Sequence, residues 1–251
     1  IINNNPYRII GILVGASARE KERQIKKLKQ YLEAEQQPQD DFSFPALSQV
    51  KRTIETVTDA ASKLNLDNDK INSALFWFYK GNDITDEPAF DFLKVGDLKS
   101  ATEIWTKLIT TGEVTQRNCS AFQNLSTLLL FNSFNGTKIN LDILDEGISL
   151  KLKFLESNFV KDFKALATDQ TYKTSENELQ LTFLNYLLTE IDSNGIITTV
   201  KILDIINRQD FSAKEEFLKN YVQKSIAQIE KKIEQAKSRR RTDNADGAKA
   251  G

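Results

Sequence analysis

The sequence predicts an all-α fold of roughly nine to eleven helices at ordinary helix and loop lengths. Three observations lead there. Ser-x-x-Glu capping boxes stand at Ser17–Glu20, Ser175–Glu178 and Ser212–Glu215, each tying a hydroxyl and a carboxylate to orphan N–H groups at a helix start. Apolar residues recur at helical spacing through most of the chain. The one β-branched run, Ile196 to Val200, has no evident partner strand, so a helix over Thr198 to Asn207 fits better.

With 251 residues the chain is long enough to bury real cores without disulfide staples. Hydrophobic residues make up 40%, charged residues 27%, and the net charge is -1, so no global field draws it to DNA or to an anionic membrane. The single cysteine, Cys119, excludes an intramolecular disulfide and fits a reducing cytoplasm. No apolar run approaches the roughly 18 residues of a membrane span. Because the chain begins at Ile1 and holds no methionine, the sequence is expected not to be a complete translated product, being either trimmed or stripped of its methionines.

Taken in order, Pro6 suits the first turn of a short helix through Tyr7, Ile9 and Ile10, which Gly11 is placed to end. The Ser17 box opens a second helix. Ile25, Leu28 and Leu32 with Tyr31 form its narrow packing face, and Arg19, Lys21, Arg23, Lys26, Lys27 and Lys29 a basic, solvated one. Gln36 to Pro45 breaks the pattern, and a third helix carries Val50, Ile54, Val57, Ala61 and Leu64. Leu75 to Tyr79 is too apolar for a solvent face, so it is expected to dock this first unit onto the rest rather than to form a ligand platform.

Thr85-Asp86-Glu87-Pro88 reads as the start of a further helix. Thr115 is placed to cap one carrying Cys119, Phe122, Leu125 and Leu129, and Leu141, Leu144, Ile148, Leu152 and Leu155 its antiparallel partner. Phe159, Phe163 and Leu166 extend that pattern; Leu181, Leu184, Leu188 and Ile191 follow the Ser175 box, and Ser193-Asn194-Gly195 reads as a stop. The last helix keeps Leu218, Val222, Ile226, Ile229 and Ile233 in line until the charges of Lys237 to Arg241. From Thr242 the composition is that of a disordered tail.

Pro6-Tyr7-Arg8-Ile9-Ile10-Gly11, Ala16-Ser17 with the basic second helix, and Ala61-x-x-Leu64 before Asp67-Asn68-Asp69-Lys70 resemble the J domain of DnaJ-type co-chaperones. The likeness covers roughly the first third of the chain. It implies a J-like three-helix unit over 1–80 whose partner is a DnaK-type chaperone, met by the basic second helix. In that family a His-Pro-Asp tripeptide between the long helices is needed to stimulate the chaperone's ATPase. Here the loop offers Gln37-Pro38-Gln39 and Asp40, and the chain has no histidine. Phe92 to Asp97, Ala101, Trp105 and Leu108 resemble half a tetratricopeptide repeat, which implies stacked antiparallel helical pairs over 81–241.

Chemistry is sparse. A nucleophile's base is most often histidine, and none is present. The adjacent acids Asp40-Asp41, Asp86-Glu87 and Asp145-Glu146 read as solvated turns and helix starts, and Asp67-Asn68-Asp69 lacks the glycine and closing glutamate of a calcium loop. No nucleotide-binding loop appears. Arg239-Arg240-Arg241 suits a solvated helix end better than a nucleic-acid arm. The expected function is therefore non-enzymatic protein binding, by an adaptor or scaffold that holds a protein or peptide segment. No cofactor, metal, nucleic-acid partner or membrane partner is expected. The candidate partner-binding residues are Lys26, Lys27, Gln37, Pro38, Gln39 and Asp40. A working DnaJ-type co-chaperone, an enzyme and a nucleic-acid-binding protein are the alternatives.

Overall fold

The computed structural model describes residues 2–36, 41–136, 138–169, 171–191 and 196–249, with side chains at 196–197 and 240–249 excepted. It is all-helical: 69% of residues lie in 12 helices, and among the described residues there is no strand. The helices are α1 (Pro6–Ile10), α2 (Ala18–Glu33), α3 (Ile54–Lys63), α4 (Asp67–Ala74), α5 (Asp83–Lys94), α6 (Leu98–Leu108), α7 (Cys119–Phe134), α8 (Leu141–Glu156), α9 (Val160–Ala167), α10 (Glu176–Ile191), α11 (Ile196–Arg208) and α12 (Lys214–Lys249). The short α4 and α9 raise the count above the sequence expectation, because their few apolar residues do not set a periodicity of their own. Ile1–Phe211 and Ser212–Gly251 are two compact units.

The first unit begins as its caps dictate. Asn5 accepts from the Tyr7 N–H, Pro6 sits in the first turn, and Gly11, at φ +78°, returns its N–H to the Tyr7 and Arg8 carbonyls. The Ser17 box is closed in both directions, with Ser17 Oγ accepting from Glu20 N and Glu20 Oε2 from Ser17 N. Only Leu28 of α2 is fully buried. Lys21, expected on the solvated face, instead donates to Leu64 O at 3.2 Å and Asn65 Oδ1 at 3.0 Å, which ties the start of α2 to the end of α3. On α3 the buried stripe is Val57, Ala60 and Leu64, while Ile54 is exposed and Val50 lies outside the helix.

Leu75 to Tyr79 does dock, and α7 receives it. The segment is buried yet not helical, so its backbone needs partners from elsewhere. Gln123 Nε2 donates to Trp77 O, and Asn124 pairs with both backbone groups of Tyr79, donating to its carbonyl and accepting from its N–H. Val14 N donates to Phe78 O and the Trp77 indole to Ile12 O. Two polar side chains of α7 thus stand in for a neighbouring strand.

α7 is the central helix. It carries no charged residue and is buried nearly all round, including Ser120, Gln123, Asn124, Ser126 and Thr127. The expected face of Phe122, Leu125 and Leu129 gives way to burial of Ala121, Phe122, Leu125 and Leu128, and Asn118 rather than Thr115 is the N-cap residue. The expected pairing with α8 holds. Gly147 lets the two helices close up, since a Cβ there would lie 3.2 Å from Leu130, and Ser126 Oγ donates to Gly147 O at 2.7 Å.

α5 and α6 form a hairpin through Gly96, at φ +84°, whose positive φ suits glycine. The start of α5 differs from expectation. Asn82 caps it, and Pro88 lies inside it rather than in the first turn. Asp86 is fully buried, accepting from Gly81 N and Asn82 N at 2.9 Å and from the Trp105 indole at 3.0 Å. Asp41 is buried too, paired with Arg52 at 2.9 Å, and Asp145 accepts from Gln209 Nε2 at 2.7 Å. These three acids are structural acceptors, not solvated turns.

Lys151 is fully buried on α8, donating to Leu75 O at 2.8 Å, Gln123 Oε1 at 2.5 Å and Thr127 Oγ1 at 3.3 Å. Burial alone drives its pKa well below the ordinary lysine range. Between that lowered value and the unfolded value of about 10.4, the unfolded chain holds a proton that the folded chain lacks, so stability rises with pH. Urea unfolding from neutral pH to pH of about 10 should show this rise, at most about 1.4 kcal/mol per pH unit. In Lys151→Met that contribution should vanish.

Candidate functional site

A cleft of the first unit, about 590 Å³, is built by three stretches separate in sequence: Gly11 to Ala16 running on into one face of α2, Asp41-Phe42, and α5 with the preceding Lys80. Each is placed by local physics. Gly11 has no side chain because Asp41 is packed against it: a Cβ would lie 2.5 Å from the carboxyl carbon. Phe42 N donates to Gly11 O at 3.1 Å. Leu13 to Ala16 is a tight turn closed by Ala16 N to Leu13 O, with Gly15 at φ +88°. Glu20, Arg23 and Gln24 line the cleft from one side of α2, and Glu87, Phe90, Asp91 and Lys94 from one face of α5, both sets at helical spacing.

The floor is aromatic. Phe42 and Phe90 meet edge to face at 6.1 Å, and the Lys94 ammonium stands 4.7 Å over the Phe42 ring. The walls are charged, but the charges are mostly spoken for. Glu20 closes the Ser17 box, and those bonds from the Ser17 backbone and hydroxyl hold its pKa below the usual glutamate range. Asp41 pairs with Arg52, Glu87 with Lys80 at 2.9 Å, and Asp91 with Lys94 at 3.4 Å. The Glu87 hydrogen bond, followed by Asp83, pushes the Lys80 pKa up. Arg23 is exposed and has no ion-pair partner among the described residues.

Arg23 also links the cleft to the basic face of α2. Arg19, Arg23, Lys26 and Lys27 fall on one side of the helix at their 4-, 3- and 1-residue spacings. Lys26 is exposed, and Lys27 is partly exposed with its ammonium 5.9 Å from the Tyr31 ring. Gln37, Pro38, Gln39 and Asp40 lie outside the described residues. The cleft itself was not read from the sequence. The available signal was the pair of glycines, Gly11 and Gly15, bracketing a short apolar run.

Among the described residues no three or more of His, Cys, Asp and Glu are grouped to hold a metal ion, and no helix is long and apolar enough to cross a membrane. At the Asp67-Asn68-Asp69 stretch, Asp67 pairs with Lys70 and Asn68 accepts from the Tyr172 hydroxyl. No family model, curated protein or solved structure matches the chain.

Proposed function

We propose that this chain is a non-enzymatic protein-binding module, a chaperone-related adaptor or scaffold that seats a segment of a partner protein in the cleft beside the basic face of α2. The observation that carries this reading is the cleft itself: a floor of half-buried Phe42 against the buried Phe90, walls whose acids are already paired, and Arg23 joining it to the cations of Arg19, Lys26 and Lys27. In this reading residues 1–80 are a J-like unit, and 81–241 a tetratricopeptide-like region. The order of α1 to α4 and the α5–α6 hairpin, with Ala101 and Trp105 buried, support that reading. A cytoplasmic setting belongs to the same proposal and draws on the lone thiol of Cys119.

An enzyme is the second reading, because four carboxylates and three cations converge on the cleft. The shifts run against it. A general acid needs a raised carboxyl pKa and a lysine base a lowered one, whereas Glu20 is lowered and Lys80 raised.

The adaptor is expected to bind a DnaK-type chaperone weakly through α2 without accelerating its ATP hydrolysis. Gln37-Pro38-Gln39 keeps the family's proline but replaces an imidazole and a carboxylate with neutral amides. A steady-state ATPase assay with the host's own chaperone checks this. Stimulation matching that of a true DnaJ, abolished by substitutions over 37–40, would restore the co-chaperone reading.

A further inference from the structure

The second compact unit carries a surface that the cleft does not use. On α12, Val222, Ile226, Ile229 and Ile233 are 54%, 50%, 57% and 49% exposed, and with Leu218 they fall within about 80° of arc. Lys219 and Lys237, with Glu230 between them, flank one edge of this stripe, and Lys214 and Lys232 the other. The charge is concentrated locally. Residues 214–241 hold nine lysines and arginines against four glutamates, in a chain whose net charge is -1. An exposed aliphatic stripe bordered by cations calls for a surface that is apolar inside and anionic at its rim.

We propose that α12 lies along an anionic lipid surface, its isoleucine stripe sunk to the headgroup boundary and its flanking lysines on the phosphates. This is a helix lying on a bilayer, not one crossing it, and it is independent of the cleft. A coiled coil is the competing use of such spacing, and the flanking residues oppose it. The seam spans only Val222 to Ile233, and the next position before it is Lys219. A partner helix would have to bury that cation. At a bilayer its long stem lets the charged end rise to headgroup level. A parallel second copy would also set Lys232 against Lys237 of its mate.

The test is co-sedimentation of the full chain with phosphatidylcholine vesicles and with phosphatidylcholine vesicles containing phosphatidylserine. Partitioning is expected only with the second, and it should weaken as salt rises. Neutralising one lysine should lower the partition coefficient about fivefold, so Lys232→Gln with Lys237→Gln should lower it about 25-fold. Ile226→Ser with Ile229→Ser should lower it tenfold or more, by about the worth of the apolar area withdrawn. These side chains are half exposed, so helix content and elution volume should stay unchanged. Equal partitioning to both vesicles, or none, would overturn the proposal. So would self-association that the isoleucine substitutions abolish, without vesicle binding, or duplex RNA bound as tightly whether or not the isoleucines are present.

Discussion

Trp105→Ala is expected to lower stability by about 3–5 kcal/mol, since it deletes a large buried aromatic from a close-packed cluster. Trp105 is fully buried, stacks on Phe78 at 6.0 Å and meets Phe90 edge to face at 5.9 Å. Its indole N–H is also one of the donors that keep the Asp86 carboxylate satisfied out of water. Trp105→Phe separates the two roles: it keeps most of the packing and removes the bond to Asp86, which should cost about 1.5–3 kcal/mol. Denaturant unfolding of the two variants reads both numbers. A cost below about 1 kcal/mol for alanine would mean a site that relaxes like surface.

The burial of Trp105 was legible, because Ala101, Trp105 and Leu108 share a face beside a glycine turn. The helix starts at Pro6, Ser17 and Ser175 were legible for the same reason: a cap is a local device, and its residues are neighbours in sequence. Asp86 was not. Its burial depends on Trp105 and Asn124, 19 and 38 residues away, and nothing adjacent marks an acid whose partners arrive by folding. Lys151 leaves a trace in the sequence, since it falls on the stripe of Ile148, Leu152 and Leu155 where a solvated lysine has no place. α7 left another, in 16 residues without a charge. Of the candidate site, Lys26 and Lys27 lie on the basic face as read, but a cleft made by three separate stretches has no local pattern to announce it.

The second large effect is expected at the buried pair of Asp41 and Arg52. Arg52 holds the end of α1, donating from Nε to Ile9 O and from a terminal nitrogen to Arg8 O, while Asp41 balances its charge and accepts from Ser43 N. Arg8 lies beside it, itself fully buried on Ser43 O, Asn3 and Ser48, and burial with the nearby Arg52 charge lowers its pKa to about 10. Removing the carboxylate therefore leaves two neighbouring buried guanidinium groups without that anion. Asp41→Ala should cost about 3–5 kcal/mol. Asp41→Ala with Arg52→Met should cost less than the sum of the two single changes, because the second relieves the charge that the first strands. Strict additivity in urea unfolding would mean that the pair is not coupled. This pair also fixes Asp41 against Gly11, so its loss should blunt any activity of the cleft.

Partner binding at that cleft is tested most directly by nuclear magnetic resonance on the full chain. The titrant would be peptides selected from a random displayed library for binding to it. The backbone amides of Leu13, Gly15, Arg23, Phe42 and Phe90 should shift together as one peptide saturates the site, and Arg23→Glu should weaken the acidic binders at least about fivefold without unfolding the protein. Selected peptides that leave those amides unmoved and perturb another surface, with affinity indifferent to Arg23→Glu, would contradict the assignment of the cleft as the partner site.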